Sequence, residues 1–295
     1  MILSVSKSTN PFQSAESTTS ATFSSPQKLF CKHYLLYSLQ SRYVQHQISW
    51  SEGTGTTVSN LRIPHLEQLK IPYPPLETQR AVANILRSIE DKAEINRKIN
   101  DNLQQQSQAI YTSKFITGAD PAWQQGHLSD LITVKYGKDH KKLADGLYPV
   151  FGSGGIMRYV ERPLYTGESV LIPRKGTLNN VLYVNEPFWS VDTMFYTEMR
   201  MPNVAKFVFH FVKSKDLVSM NAGSAVPSMT TDILNALELT IPSEDRLAEF
   251  ETLVAPMYKT MQTNDQESAK LTALRDALLP KLMSGEIDTQ HKNKI

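Results

Sequence analysis

The sequence predicts an α+β protein with an internal repeat. One complete globular domain, with a curved and mostly antiparallel sheet plus helices, is flanked by two long antiparallel coiled-coil-like helices. Two stretches, 76–118 and 243–285, show the alternating 4 and 3 spacing of apolar residues that is typical of coiled coils. The second stretch repeats the first, and strand-like runs bounded by glycine and proline lie between them. Such a duplication predicts two copies of one unit related by a pseudo-symmetry axis.

The first 28 residues are rich in Ser and Thr and show no apolar periodicity, so a disordered leader is expected over 1–28. Residues 29–75 are expected to be the C-terminal remnant of a first globular unit. Their helical stretch resembles the segment that follows Val204, with LQSR at Leu39 facing VKSK at Val212. About eighty residues, 127–202, precede that segment in the second copy and have no counterpart before Leu29. The first unit is therefore predicted to be incomplete, because the gene is truncated or frameshifted or because the sequence is a fragment.

The first long helix is predicted over 76–118. Prolines before it keep the chain extended, and Gly118 lies where a left-handed cap residue belongs. A fully helical span would be about 60 Å long. An ordinary amphipathic helix on a globular core is the alternative. The predicted coiled-coil seam consists of Ile85, Ile89, Lys92, Asn96, Ile99, Leu103, Gln106 and Ile110.

The second long helix, 243–285, repeats the spacing at an offset of 168 residues (264 − 96) and precedes a polar tail, 286–295. Upstream, residues 53–72 align without gaps on 223–242, which places Pro72 on Pro242. Polar residues at equivalent seam positions favour pairing in one register. The residues predicted to pair the two helices are Ile89, Asn96, Leu103, Ile110, Met257, Asn264, Leu271 and Leu278.

The complete globular domain is predicted over 119–242. Strand-like runs rich in Val, Ile, Leu, Tyr and Thr occupy 131–136, 169–172, 181–184 and 193–197, with glycine turns between them. A helix over 204–220 and a short helix over 230–236 close the domain. Strands first and helices last is the order of an α+β domain.

Composition describes a globular protein: the 295 residues are 40% hydrophobic and 20% charged, with a net charge of +2. No apolar run is long enough to span a membrane, and no secretory signal is recognisable. The single cysteine, Cys31, excludes an internal disulfide framework. We therefore expect a cytoplasmic protein with no membrane partner.

Motifs for catalysis are missing from the sequence. The Gly152–Gly155 turn is not followed by the Gly-Lys-Ser/Thr of a phosphate loop, and the seven histidines lack metal-ligand spacing. His210 is best interpreted as a core or helix-face residue. Basic and polar loop residues are instead what phosphate and base-edge contacts require, although solvated loop charge explains any one of them equally well.

The order of these segments resembles the specificity subunit of type I restriction-modification systems. The stretches that carry the resemblance are YPVFGSGG from Tyr148, VLIPRKGTLNNVLYV from Val170, GSAVPSMTTDILNALELTIP from Gly223 and IPYPPLETQRAVANIL from Ile71. The resemblance implies target-recognition domains that read a bipartite site on double-stranded DNA, and spacer helices that dock modification (methyltransferase) subunits. By analogy of position, the resemblance also implies that the DNA-binding residues are Lys138, Lys141, Lys142, Ser153, Gly154, Arg158, Arg174, Lys175, Thr177, Asn179 and Asn180. It implies no catalysis and no cofactor on this chain. S-adenosylmethionine, ATP and magnesium are expected on partner subunits, including a restriction subunit that translocates and cleaves DNA.

Because the first recognition domain is predicted to be incomplete, reading of one half-site, self-association and a silent cassette are all open. A protein-only helical scaffold without DNA affinity is the second hypothesis. A stand-alone nuclease or methyltransferase is the third, and no residue constellation in the sequence supports it.

Overall fold

The computed structural model describes residues 2–6, 18–22, 30–51, 63–220 and 228–289. The chain divides into two compact units: the first contains residues 1–101 and 260–295, and the second contains residues 102–259. Within the described residues no helix is both long and apolar enough to cross a membrane. Most of the Ser/Thr-rich leader, the repeat stretches 53–62 and 223–227, and the end of the polar tail lie outside the described residues.

The first unit combines short elements with parts of two long helices. Its strands are β1 (Ile2–Ser6), β2 (Thr18–Thr22) and β3 (Ile71–Pro72), and its short helices are α1 (Lys32–Gln40), α2 (Arg42–Ser51) and α3 (Ile63–Glu67). The long helices are α4 (Leu76–Tyr111) and α8 (Glu244–Ser284), each of which is shared between the two units. The core contains Tyr34 and Tyr37 of α1, Val82 and Leu86 of α4, and Met283 of α8.

The leader prediction is wrong for ten of its residues. Strands β1 and β2 pair antiparallel, and β1 also pairs parallel with β3, where Val5 lies opposite Ile71. The physical reason lies in the local sequence. Apolar and hydroxyl residues alternate from Leu3 to Ser6 in β1, and three threonines favour an extended backbone in β2.

The second unit contains an antiparallel sheet of four strands in the order β5 (Ile132–Tyr136), β11 (Met194–Met199), β8 (Glu168–Pro173) and β9 (Leu182–Asn185). A second sheet joins β10 (Trp189–Ser190), β6 (Asp145–Gly152) and β7 (Gly155–Val160), with only the β10–β6 pair parallel. A third pair joins β12 (Glu238–Ile241) to β4 (Gln124–His127). The remaining helices are α5 (Leu128–Leu131), α6 (Ala205–Lys213) and α7 (Thr231–Asn235). The predicted α+β class with a mostly antiparallel sheet is confirmed.

Two expectations for helix ends are wrong. Helix α4 continues from Tyr111 as a π-helical turn, Thr112–Thr117, so the Gly118 N–H bonds the Ser113 carbonyl, 2.9 Å away. Gly118 has φ −100° and is not left-handed. Glycine is needed there because a Cβ atom would lie 2.7 Å from the Ser113 oxygen. Helix α6 ends at Lys213 rather than at residue 220.

The internal repeat is visible in the element bounds. Helices α1 and α6 have nine residues each, and the register that sets Leu39 against Val212 superposes their bounds. Adding 168 to the residue numbers places the start of α3 on the start of α7 (231 − 63) and the start of α4 on the start of α8 (244 − 76). The gap-free alignment of Pro72 with Pro242 is therefore displaced by two residues. The buried prolines before the two long helices, Pro74 and Pro242, are the equivalent pair.

Candidate functional site: a helix pair and a convergent loop surface

Helices α4 and α8 run antiparallel in the first unit, and a polar ladder joins them. The Asn96 side chain is buried and donates from Nδ2 to Glu267 Oε2, 2.7 Å away. The Asn264 amide donates to Asn100 Oδ1 at 2.8 Å, and Asn100 in turn donates to Asp265 Oδ1 at 2.8 Å. Buried amides that find partners in one alignment only select that register.

The ladder has the symmetry that the duplication implies. Asn96 Nδ2 also lies 3.4 Å from Ser268 Oγ, and the shift of 168 residues exchanges this contact with the one between Asn264 and Asn100. Asn96 and Lys92 donate to Glu267 and hold the pKa of its carboxyl below the usual range. Burial raises the pKa of Asp265, against a hydrogen bond from Asn100.

The predicted seam of α4 is partly wrong. Ile85 and Ile99 are exposed at 37% and 40%, and Lys92 and Gln106 are exposed as well. At each of these four positions the residue that faces α8 is the next one along the chain. The covered face of α4 therefore matches the covered face of α8 at the repeat offset of 168 residues. Those next residues are Leu86, Ala93, Asn100 and Ser107, each buried or half-buried.

The other predicted pairing residues lie on the covered faces of the two helices. Ile89, Leu103 and Ile110 of α4 are half-buried. Met257, Leu271 and Leu278 of α8 are half-buried too. In the second unit this face continues through the buried side chains of Ser107 and Tyr111 on α4 and of Val254 and Tyr258 on α8.

Helix α6 lies against both long helices in the second unit through His210, which is fully buried. Its Nδ1 lies 2.8 Å from Gln108 Oε1, and its Nε2 lies 3.0 Å from the Tyr258 hydroxyl. Since an amide oxygen only accepts, the ring proton is on Nδ1, and Nε2 accepts from tyrosine. Burial lowers the pKa of His210 to about 3, with a smaller contribution from Lys213, so the ring is neutral.

The first unit has an equivalent cluster of different chemistry. The Tyr37 hydroxyl donates to Glu90 Oε2 at 2.6 Å, and Arg275 Nη1 donates to Glu90 Oε1 at 3.2 Å. Under the repeat offsets Tyr37 corresponds to His210, Glu90 to Tyr258 and Arg275 to Ser107. Each cluster joins a short helix, α1 in the first unit or α6 in the second, to the α4–α8 pair of the same unit.

A buried ion cluster joins the four-stranded sheet and α6 to helix α8. Lys206 Nζ lies 2.7 Å from Glu168 Oε1 on β8 and 2.6 Å from Glu251 Oε1 on α8. The Tyr183 hydroxyl donates to Glu168, and the ammonium group lies 5.1 Å from the centre of the Tyr183 ring. Burial by itself raises the pKa of Glu168, but hydrogen bonds from Lys206 and Tyr183 outweigh it and hold the pKa below its usual range.

Four chain segments, 136–138, 151–155, 174–180 and 190–193, converge at one end of the two larger sheets; we call them the loop surface. The Lys138 N–H donates to the Ser190 carbonyl at 2.8 Å, and the Val191 N–H donates to the Phe151 carbonyl at 3.1 Å. The Asn180 amide donates to the Ser153 carbonyl at 2.7 Å. Arg174 N–H donates to the Thr193 carbonyl at 2.9 Å. Each segment is thus hydrogen-bonded to another, so the four segments form one connected surface and not a set of independent loops.

Glycines permit the close approaches within this surface. Gly176 has φ +86°, and a Cβ atom there would lie 2.8 Å from Ser153 Oγ. A Cβ atom on Gly137 would lie 2.0 Å from the Val191 carbonyl oxygen. The positive φ at Gly176 is a conformation that other residues rarely adopt.

The predicted DNA-binding residues divide between this surface and its surroundings. The surface contains Lys138, Ser153, Gly154, Arg174, Lys175, Thr177, Asn179 and Asn180. The Arg174 guanidinium lies 5.3 Å from the centre of the Tyr136 ring and donates to the Asp192 carbonyl at 3.3 Å. Lys141 and Lys142 are exposed in the turn after Lys138.

One predicted residue, Arg158, lies outside the loop surface, and one within it, Asn179, has its side chain bonded to a residue outside it. Arg158 donates to the Leu143 carbonyl and to Asp145 Oδ1, at 3.1 and 2.6 Å, on the side of the β6–β7 hairpin away from its tip. Asn179 donates to Asp216 beyond the end of α6, at 3.5 Å. The sequence reasoning missed Tyr136, whose strand it had identified. Its position at the end of that strand was the available signal.

Metal binding finds no support in the described residues, where no group of three or more His, Cys, Asp or Glu side chains could hold an ion.

Comparison with known proteins identifies the family. The model of the type I restriction modification DNA specificity domain matches residues 15–105 and 122–269. The type I restriction enzyme MjaIX specificity subunit of Methanocaldococcus jannaschii is 22% identical over 86% of this chain and 68% of its own length. The putative type I specificity subunit S.MpnORF638P of Mycoplasma pneumoniae is 24% identical over 84% of this chain and 72% of its own length.

A crystal structure of the type I restriction-modification S subunit from M. genitalium has the same fold, with a TM-score of 0.58 at 20% identity. It covers 90% of this chain and 75% of the M. genitalium chain. The family model matches twice, once in each copy of the repeat, and the matches together cover well over half of the sequence. The chain therefore belongs to the type I restriction modification DNA specificity family, whose members are non-catalytic specificity subunits, as the sequence predicted.

Proposed function

We propose that the second unit reads a short sequence on double-stranded DNA, as one part of a bipartite site, through the loop surface. The observation that supports this proposal is the convergence of four bonded segments on one end of the sheets, where Lys138 and Lys175 are exposed and Arg174 is half-buried. Cations beside turns that present backbone N–H groups suit contact with phosphates, and amide and guanidinium side chains suit contact with base edges.

The long helices are proposed to dock modification subunits. Their exposed faces carry apolar residues that the helix pair does not use, among them Ile95 at 50% exposure and Leu274 at 47%. Modification subunits would supply S-adenosylmethionine-dependent methylation, and a restriction subunit would supply ATP- and magnesium-dependent chemistry. This chain would supply the DNA sequence preference of the assembly.

The test is selection from a random duplex library in about 0.15 M salt, with this chain co-purified with a modification subunit from the same genome. We expect a short motif to be enriched. Replacing Arg174 and Lys175 with Ala should weaken binding by about 30-fold, as two lost phosphate or base contacts of about 1 kcal/mol each would do. The salt slope of log K should become shallower by up to about 1.8.

A matched control removes two cations from the far ends of the same strands. Arg162 follows β7 and Arg200 follows β11, both are exposed, and both lie at the ends opposite to the loop surface. The double variant Arg162→Ala/Arg200→Ala should bind DNA like the wild type. An equal loss of DNA affinity in the two double variants would mean that overall charge, and not the loop surface, determines binding. A stable complex that enriches no motif would favour a protein-only scaffold.

A further inference from the structure

The β6–β7 hairpin carries two adjacent apolar side chains that both face solvent. Ile156 is 51% exposed and Met157 is 60% exposed. In a regular strand successive side chains point to opposite faces, so one of two neighbours normally faces the core. Exposure of both requires a local cause.

That cause is a β-bulge. Phe151 of β6 lies opposite Ile156 of β7, but the preceding Val150 lies opposite Arg158, so Met157 is an extra residue on β7. Bulges re-aim side chains and occur often beside functional sites. This one lies two residues from the hairpin tip, Gly152–Gly155, and β7 is an edge strand of its sheet.

The hairpin tip is fixed in the loop surface. Asn180 holds the Ser153 carbonyl, and a Cβ atom on Gly152 would lie 2.5 Å from the Met157 sulfur, so the Met157 side chain covers the tip. The apolar pair is thus continuous with a surface that carries Lys138 and Lys175. A cationic surface beside an apolar pair is complementary to duplex DNA, which offers phosphates and the C5-methyl groups of thymine.

We infer that Ile156 and Met157 are specificity-determining residues that contact thymine methyl groups in the major groove. A two-stranded β-ribbon fits that groove, and apolar side chains there distinguish thymine from the other bases. The inference rests on the proposed function and extends it to two residues whose chemistry gives no electrostatic affinity. Ile156 and Met157 should therefore affect which DNA sequence is bound and have little effect on the salt dependence of binding.

The experiment uses the full chain with its modification subunit and the duplex that the library selects. Each thymine of the motif is replaced in turn by deoxyuracil, which removes only the C5-methyl group, and binding is measured by fluorescence anisotropy. We expect at least one replacement to weaken wild-type binding about fourfold, as burial of one methyl-sized group predicts. Ile156→Ala, Met157→Ala or both should abolish the difference between thymine and deoxyuracil at that position.

The control variant is Leu147→Ala. Leu147 is 88% exposed at another register shift of the same hairpin, far from the tip, and should leave the thymine preference intact. A motif without thymine, or tip variants that keep the full methyl effect, would overturn the inference while the proposed function stands. Loss of assembly with the modification subunit, with normal thymine preference, would show a protein contact instead. If the wild type enriches no motif, the proposed function and this inference both fail.

Discussion

Replacing Lys206 with Met tests whether the ion cluster holds the second unit together. The Lys206 side chain is 4% exposed, and its ammonium group satisfies Glu168 and Glu251, whose side chains are 32% and 20% exposed. Removing one partner of a buried ion pair costs about 3–5 kcal/mol, because a charge stays behind without compensation. Two carboxylates stay behind here, but their side chains are partly exposed, so we expect a loss at the lower end of this range, about 3 kcal/mol.

The assay is urea unfolding followed by tryptophan fluorescence in a Trp50→Phe background. The remaining tryptophans, Trp123 and Trp189, both lie in the second unit. A matched variant, Lys206→Met with Glu168→Gln and Glu251→Gln, removes all three charges. It should recover most of the loss, because neutral amides leave no uncompensated charge.

The pH dependence provides the refutation. In the wild type the lowered pKa of Glu168 contributes stability that is present above the unfolded pKa and is lost as the pH falls through the folded pKa. Without Lys206 the main group that lowers this pKa is gone, so protonation of Glu168 relieves the variant. The difference in unfolding free energy between wild type and Lys206→Met should therefore shrink in acid. A difference below about 1 kcal/mol that does not change with pH would refute the reasoning.

Three further perturbations have expected outcomes. Because the folded pKa of His210 is about 3 and its usual value is 6.5, stability should be lost as the pH falls below that usual value. The wild type should lose about 2 kcal/mol more than His210→Gln between about pH 7.5 and pH 5, measured by urea unfolding. Asn96→Ala removes the hydrogen bonds that the buried Asn96 amide donates to Glu267 and Ser268 and should cost about 1–3 kcal/mol in thermal unfolding, whereas the same change at exposed Asn102 should cost less than about 0.5 kcal/mol. Gly176→Ala should cost about 1–2 kcal/mol because of its positive φ, whereas Gly154→Ala, with open space around the added Cβ, should leave the unfolding free energy unchanged.

How far sequence reasoning reached is clearest in the long helices. The apolar spacing of α8 predicted its covered face well, since Phe250 and Val254 are buried and Met257, Asn264 and Leu271 are half-buried. The spacing of α4 did not, because isoleucines at exposed positions imitate a second seam. Shifting the α8 seam back by 168 residues identifies the correct α4 face. Duplication was a better guide here than hydrophobicity, since the polar residues Asn100 and Ser107 occupy positions that a hydrophobic pattern leaves out.

The loop surface was only partly predictable from the sequence. Glycines and basic residues marked Gly152–Gly155 and 174–180 as turns, but the β6 and β7 strands on either side of the first turn were missed. Pro149, Gly146 and the two register shifts break the period-2 alternation by which a strand is recognised. Convergence of the four segments depends on hydrogen bonds between residues far apart in sequence, such as the one that the indole N–H of Trp189 donates to the Lys138 carbonyl at 2.8 Å, and periodicity carries no information about those.

The equivalent hydrogen-bond clusters around Tyr37 and His210 show what the two copies of the repeat share and where they differ. The position of the cluster is retained, because in each unit a short helix, α1 or α6, contacts the α4–α8 pair through a side-chain hydrogen bond. Chemistry is not retained, since Tyr37 donates to an acid where His210 accepts from a tyrosine. A substitution that suits one cluster therefore fails in the other: a carboxylate at Tyr258 would face the imidazole Nε2, which carries no proton in the neutral ring. Binding a second proton would satisfy that carboxylate and raise the pKa of His210. Tyr258→Glu should thus make the stability of the second unit less sensitive to acid than the wild type, and a steeper acid loss in this variant would contradict the contact between position 258 and the His210 ring.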